Sequence, residues 1–266
     1  MHVIPEARNV QSSYENITAE CPSCGRENIF NRASDLKDSH PVVHRYERCS
    51  ECSAQLLLKG DEIGPAYEMM IMDCYELLDR KHYMYCILNL AQACEVFFSH
   101  YLRVELLYRP LASSPQRDVD RFNTLSRLLF RKIRTYSFEP MRNLFFWLVL
   151  KPRHPASLDE TQPEIEGLQR TVRGLGGTSC DARAECIRAA SHFINPLVPK
   201  LLLRLNSWDI ASLRNQVVHK SAHKPTLNEV NEHLKEGREI LFRLGHALGI
   251  RRDGVSSYLT GRRQAG

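Results

Sequence analysis

The sequence has no apolar run that approaches a membrane span. Its longest, Leu144 to Leu150 (LFFWLVL), is flanked by Arg142 and Lys151 and falls far short of the roughly 20 residues a bilayer crossing needs. It reads as a buried helix. The opening MHVIPEARNVQSS lacks a basic start followed by an apolar stretch, which predicts no secretory signal, no membrane partner and a cytoplasmic protein. Also missing are a GxxxxGK[ST] phosphate loop, a GxSxG elbow and an internal repeat of fixed period. Gly174-Leu175-Gly176-Gly177 follows no predicted strand, so P-loop and serine-hydrolase chemistry are set aside.

What is present is ordinary for a globular protein: 266 residues, 43% hydrophobic and 25% charged, which excludes global disorder. The formal net charge of +5 is compatible with a polyanionic partner but too dilute to identify one. Its distribution says more, because Arg251, Arg252, Arg262 and Arg263 crowd the end of the chain among Gly254, Ser256, Ser257 and Gly261. Residues 251–266 are therefore expected to form a basic flexible tail, and residues 1–17 a short N-terminal extension.

Four of the nine cysteines form two CxxC knuckles, Cys21/Cys24 and Cys49/Cys52, with 24 residues between them. A CxxC turn converges two thiolates, and two such turns supply the four sulfur ligands of tetrahedral Zn²⁺ with no coordination position left open. The expectation is a structural zinc ion in a β-rich ribbon over residues 18–60, built from two or three short strands. So small a module buries little core, and metal binding on the order of 10 kcal/mol would supply most of its folding free energy. His40 and His44, between the knuckles, would be ligands only if a cysteine were displaced. Cys74, Cys86, Cys94, Cys180 and Cys186 lie among apolar residues of predicted helices, as reduced buried thiols do.

A break at Lys59-Gly60-Asp61-Glu62-Ile63-Gly64-Pro65 marks the domain boundary, after which the period is helical. Helices are predicted over about 66–80, 83–108 (apolar face Leu88, Ala91, Phe98, Leu102, with Glu95 among them), around Phe122 to Ile133, and over 138–150. Leu111 to Pro115 is read as a loop. Residues 151–180, rich in proline and glycine, are predicted as a loop-rich insertion with at most a short helix near Glu164 to Arg173. Helices resume over about 181–205, kinked at Pro196 and Pro199. Ser207 is placed to cap a helix carrying Arg214 and ending near His219. The last helix is delimited by a capping box, Thr226 with Glu229.

One cluster suggests chemistry: Leu213-Arg214-Asn215-Gln216-Val217-Val218-His219-Lys220. Arginine and histidine five positions apart lie about 140° apart around an ideal helix, and share a face only where the helix loosens. On residue types alone, such a cluster serves equally as a local cap or a set of solvent contacts.

In context, LRNQVVHK resembles the Arg-x(4–6)-His motif of HEPN domains, helical bundles that include many RNA-cleaving toxins and antiviral defence proteins. LLDRKHYMYCILNLAQACEVFFSHYL resembles the first helical pair of that family. The resemblance spans roughly residues 65–250. It implies a mainly α protein, a HEPN-like helical bundle preceded by the ribbon. It also implies a metal-independent endoribonuclease in which Arg214 and His219 are catalytic, Asn215 occupies the polar position beside the arginine, and Glu95 the accessory acidic one. RNA carries its own nucleophile, so a histidine to move a proton and an arginine fork to hold the phosphorane suffice, leaving 2′,3′-cyclic phosphate ends. Family members commonly act as homodimers, some held by an antitoxin or another regulatory protein. Lys220, His223 and Lys224, next along the chain, are candidate RNA-binding residues. Two other readings stay open: a non-catalytic module that binds RNA or a nucleotide or dimerises, and a protein-interaction factor acting through its ribbon, whose basic and acidic residues nearly balance.

Overall fold

A computed structural model describes residues 16–31, 35–36, 45–58, 65–114, 118–219 and 223–251. Most of the N-terminal extension, His40, His44, Lys220 and the basic tail beyond Arg251 lie outside the described residues. The chain is mainly α-helical with a small antiparallel β region at its N-terminal end. It divides into two compact units, the second being Ala66–Arg251. No described helix is long and apolar enough to cross a membrane.

Among its described residues the first unit holds four strands in two antiparallel hairpins, where two or three strands were expected. Strand β1 (Asn16–Glu20) pairs with β2 (Glu27–Asn31), and β3 (Arg45–Arg48) with β4 (Gln55–Leu58). A cysteine knuckle forms each turn. Beneath them Cys21, Leu36, Cys49, Leu56 and Leu58 make a small core, with Ala19, Phe30 and Ala54 against it.

The helical unit is built around α2 (Tyr83–Arg103), which packs on α1 (Ala66–Asp79), α5 (Phe138–Val149), α9 (Ile210–His219) and α10 (Leu227–Ala247). Its buried residues, among them Ile87, Leu90, Ala93, Phe97, Phe98 and Tyr101, therefore surround the helix instead of forming the single predicted face. Phe97, Phe98 and Tyr101 each pack on Phe145, edge-on or tilted, at centroid distances of 5.0 to 5.5 Å. Aromatic rings favour such angles because the positive edge of one meets the negative face of another.

Beyond Arg103 the chain continues as a π-helical stretch, Val104–Tyr108, and then α3 (Arg109–Ser113), so helix occupies most of the expected loop at 111–115. Within the π stretch, Glu105 is buried. It accepts from Arg109 and from His154 Nδ1, the latter at 2.7 Å. Arg109 Nη2 also donates to the Leu248 carbonyl at the end of α10 (2.7 Å). A buried carboxylate persists where such partners replace its water.

Helix α4 (Val119–Ile133) is close to expectation, with Phe122, Leu125, Leu129 and Ile133 buried. The predicted loop-rich insertion is not one: Leu158–Leu175 forms an 18-residue helix, α6. Pro152 and Pro155 precede its N-cap, Ser157, whose side chain accepts from the Glu160 N–H. Leu158, Thr161, Ile165 and Leu168 then bury one face, while Pro163 sits on the exposed side. Burial at helical spacing outweighs the loss of one helix hydrogen bond at Pro163. Downstream, a break at residues 190–196 stands where a kink was expected, separating α7 (Cys180–Ala189) from α8 (Leu197–Ser207). Pro196 is the N-cap of α8 and Pro199 lies in its first turn, where proline is tolerated. Ser207 does not cap α9: it ends α8 and donates to Arg204 O. The Asp209 carbonyl instead accepts from Leu213 N. The capping box of α10 is present as expected.

Candidate functional site

The two knuckles are built alike. In each, the first cysteine is buried and the second exposed, and the residue after the second has a positive φ: Gly25 at 68° and Ser53 at 59°. The N–H of that residue returns to the first cysteine's carbonyl, Gly25 N to Cys21 O (2.8 Å) and Ser53 N to Cys49 O (3.0 Å). This closes a tight turn that aims both thiols inward. Cys21 Sγ lies 3.6 Å from Cys52 Sγ, and Cys24 Sγ lies 3.7 Å from Cys49 Sγ. All four sulfurs fall within 4.8 Å of one another. Tetrahedral zinc at about 2.3 Å from each sulfur requires sulfur separations of about 3.8 Å, so these four cysteines lie as they do in a zinc site.

Asn28 ties the knuckles together. Its side chain is buried on β2, its Nδ2 donates to Arg26 O (3.0 Å) and faces Cys49 Sγ (3.5 Å), and its Oδ1 accepts from Ser50 N (2.9 Å) and Ser50 Oγ (3.1 Å). The Cys52 N–H leads in lowering the Cys49 thiol pKa to about 6. Burial opposes it, and the Glu51 N–H, the Asn28 amide and Cys24 assist. These donors favour the thiolate, the form that binds metal. Sequence reasoning missed Asn28, since nothing in the spacing marks one strand asparagine among many.

In the helical unit, α9 packs on α2. Ile210, Leu213 and Val217 are buried at helical spacing and turn that face of α9 inward. Arg214 follows Leu213 and is left at the boundary, half-buried, while Asn215 and Val218 are exposed. Arg214 Nη1 donates to Asn215 Oδ1 at 3.1 Å. Glu95 of α2 lies within electrostatic reach of Arg214. Burial raises its carboxyl pKa, and the Arg214 guanidinium, then a bond from Gln92, pull it back. The fold thus brings Arg214 and Asn215 into contact, with Glu95 within electrostatic reach of the guanidinium. The arrangement offers a cation and a carboxyl that keeps its proton more readily than usual.

His219 is the last residue of α9; its side chain and the whole of Lys220 lie outside the described residues. Lys224 is exposed. His223 Nε2 lies 3.0 Å from Glu229 Oε1, and Glu229 also closes the α10 capping box. The Thr226 N–H, then the Thr226 hydroxyl and His223, hold the Glu229 carboxyl below its ordinary value. His223, a candidate for RNA contact, is thus drawn toward its own chain's carboxylate.

Compared with known proteins, the chain matches no family model, no curated protein and no solved structure.

Proposed function

We propose that the helical unit is a metal-independent endoribonuclease of HEPN type and that the four N-terminal cysteines hold a structural Zn²⁺. The reading is carried by the placement of the motif: α9 packs on α2, Arg214 lies within electrostatic reach of Glu95, and His219 is five residues further along the same helix. In the reaction, the RNA 2′-oxygen attacks the adjacent phosphorus and gives up its proton to a basic group, for which His219 is the candidate. The bond from phosphorus to the 5′-oxygen breaks, and that oxygen takes a proton from water as it leaves. Arg214 neutralises the charge that grows on the phosphoryl oxygens. The products are a 2′,3′-cyclic phosphate and a 5′-hydroxyl. Two copies of the chain would each contribute one motif to a shared cleft.

A second reading, a non-catalytic RNA- or nucleotide-binding module, is favoured by the bond that commits part of the Arg214 guanidinium to Asn215. Purified chain incubated with total cellular RNA and tRNA in EDTA separates the two, with retained zinc checked by metal analysis. The expected result is cleavage with cyclic phosphate ends, reduced on the order of 10²-fold or more in Arg214→Ala and His219→Ala. Folded protein that cuts none of these RNAs sinks the nuclease reading and leaves the binding module.

A further inference from the structure

Successive side chains of a strand point to opposite sides, so each hairpin of the N-terminal unit has one face toward its core and one away from it. On β4, Leu56 and Leu58 are buried on the core side, which leaves Gln55 and Leu57 on the other. The register sets Tyr46 of β3 across from Leu57, and Arg48 across from Gln55. Tyr46, Arg48, Gln55 and Leu57 therefore form the outward face of this hairpin. Tyr46 is 63% exposed, Arg48 and Gln55 are exposed, and Leu57 is half-buried.

Charge is sorted between the two faces. On the core side, Arg45 donates from Nε to Glu47 Oε1 (2.6 Å) and from Nη1 to the Leu36 carbonyl (2.7 Å). Glu47 is the one carboxylate on β3 and β4, and it is engaged there. The outward face keeps a cation and has no carboxylate. The side chains of Tyr46 and Arg48 meet no ring, ion-pair or hydrogen-bond partner among the described residues. The other hairpin differs. Asn28 is buried, so Glu27 and Ile29 point away from the core, with Glu20 across from Glu27. That face joins an aliphatic side chain, 53% exposed, to two carboxylates and would repel a polyanion.

We propose that the outward face of the β3–β4 hairpin is a stacking platform for single-stranded RNA. An unpaired base lies on the Tyr46 ring, a neighbouring phosphate reaches Arg48, and the Gln55 amide offers a donor and an acceptor to the base edge. A lone exposed tyrosine is ordinary, but here it shares an acid-free sheet face with an unpaired guanidinium. Size argues against a protein partner. Two residues on each of two strands fall far short of the roughly 800 Å² per partner that a stable protein interface buries, whereas one base needs one ring. The choice of RNA rests on the ribonuclease reading; the face itself includes neither Arg214 nor His219.

The test is equilibrium binding of a short single-stranded 2′-O-methyl RNA, which lacks the attacking hydroxyl and is not cut. The full chain and three variants are compared across a range of salt, each checked for metal content and helical circular dichroism. Tyr46→Ala is expected to weaken binding about tenfold or more. Tyr46→Phe is expected to bind like the wild type, since the ring and not the hydroxyl stacks, and Arg48→Gln to lower the salt slope by about one. The proposal is overturned if the wild type binds no RNA, if Tyr46→Ala binds as tightly as the wild type, if Tyr46→Phe shares its loss, or if Arg48→Gln leaves the slope unchanged. A chain that binds through Tyr46 but cuts no RNA defeats the ribonuclease reading alone. One that cuts RNA while Tyr46→Ala binds normally defeats the stacking face alone.

Discussion

Single side chains decide the two sites in opposite ways. At the cysteine cluster one amide, Asn28, serves both knuckles at once: it receives the Ser50 N–H and hydroxyl and directs its own N–H groups to Arg26 O and toward Cys49 Sγ. Partners behind metal ligands typically set affinity by 10- to 100-fold. Asn28→Ala should therefore release zinc to a competing chelator at roughly 10- to 100-fold lower chelator strength, with the helical circular dichroism intact; unchanged metal affinity would show that the cysteines orient themselves. At Glu95 the reverse holds, because burial works against the charged form and raises its pKa. The folded chain holds that proton more tightly than the unfolded chain, so an ionised Glu95 detracts from stability above its ordinary value near 4.5. Glu95→Gln is expected to raise the melting temperature at neutral pH while lowering RNA cleavage, a trade seen where function keeps a residue that stability disfavours. A fall in melting temperature would instead make Glu95 a structural partner of Arg214.

Helices show where local pattern suffices and where it does not. The ends of α10 are written locally, since Thr226 and Glu229 exchange bonds across the first turn. Helix α6 is misjudged from its proline and glycine content because two of those prolines precede its cap and the third faces solvent. Packing between elements also creates charge networks that no pattern announces. Arg204 of α8 reaches both Glu236 and Glu239 of α10, and Arg243 joins Glu239. Arg204 first, then Arg243, lower the Glu239 pKa to about 2 from its ordinary 4.5. Here the unfolded chain binds the proton more tightly, so the network stabilises the fold above about pH 4.5 and is lost as pH falls toward 2. Glu239→Gln should flatten the decline of melting temperature across that acid window, modestly, since the group is partly exposed and screened. An acid limb identical to that of the wild type would remove Glu239 from the account.

At the scale of the molecule, the two units draw on different sources of stability. Among the described residues the ribbon has five buried core residues, two of them cysteines, whereas the helical unit encloses a core of aliphatic and aromatic side chains around α2. Stripping zinc with a strong chelator should therefore unfold the ribbon alone, seen as protease sensitivity confined to residues before Pro65 with helical circular dichroism retained. Loss of the helical signal on chelation would mean that the units fold as one.

The mainly helical class, the β-rich start and the clustering of four cysteines were legible because each depends on short-range rules: the 3.6-residue period of buried side chains, capping chemistry, and the geometry of a CxxC turn. The Arg214 to His219 segment was legible as a pattern, but not its neighbours. That Glu95 comes within electrostatic reach of Arg214, and that Asn28 joins the knuckles, both follow from packing between residues distant in sequence. Periodicity says which face of a helix is buried, not what it is buried against. Only the tertiary packing around α2 decides which charges meet, and whether each meets its complement.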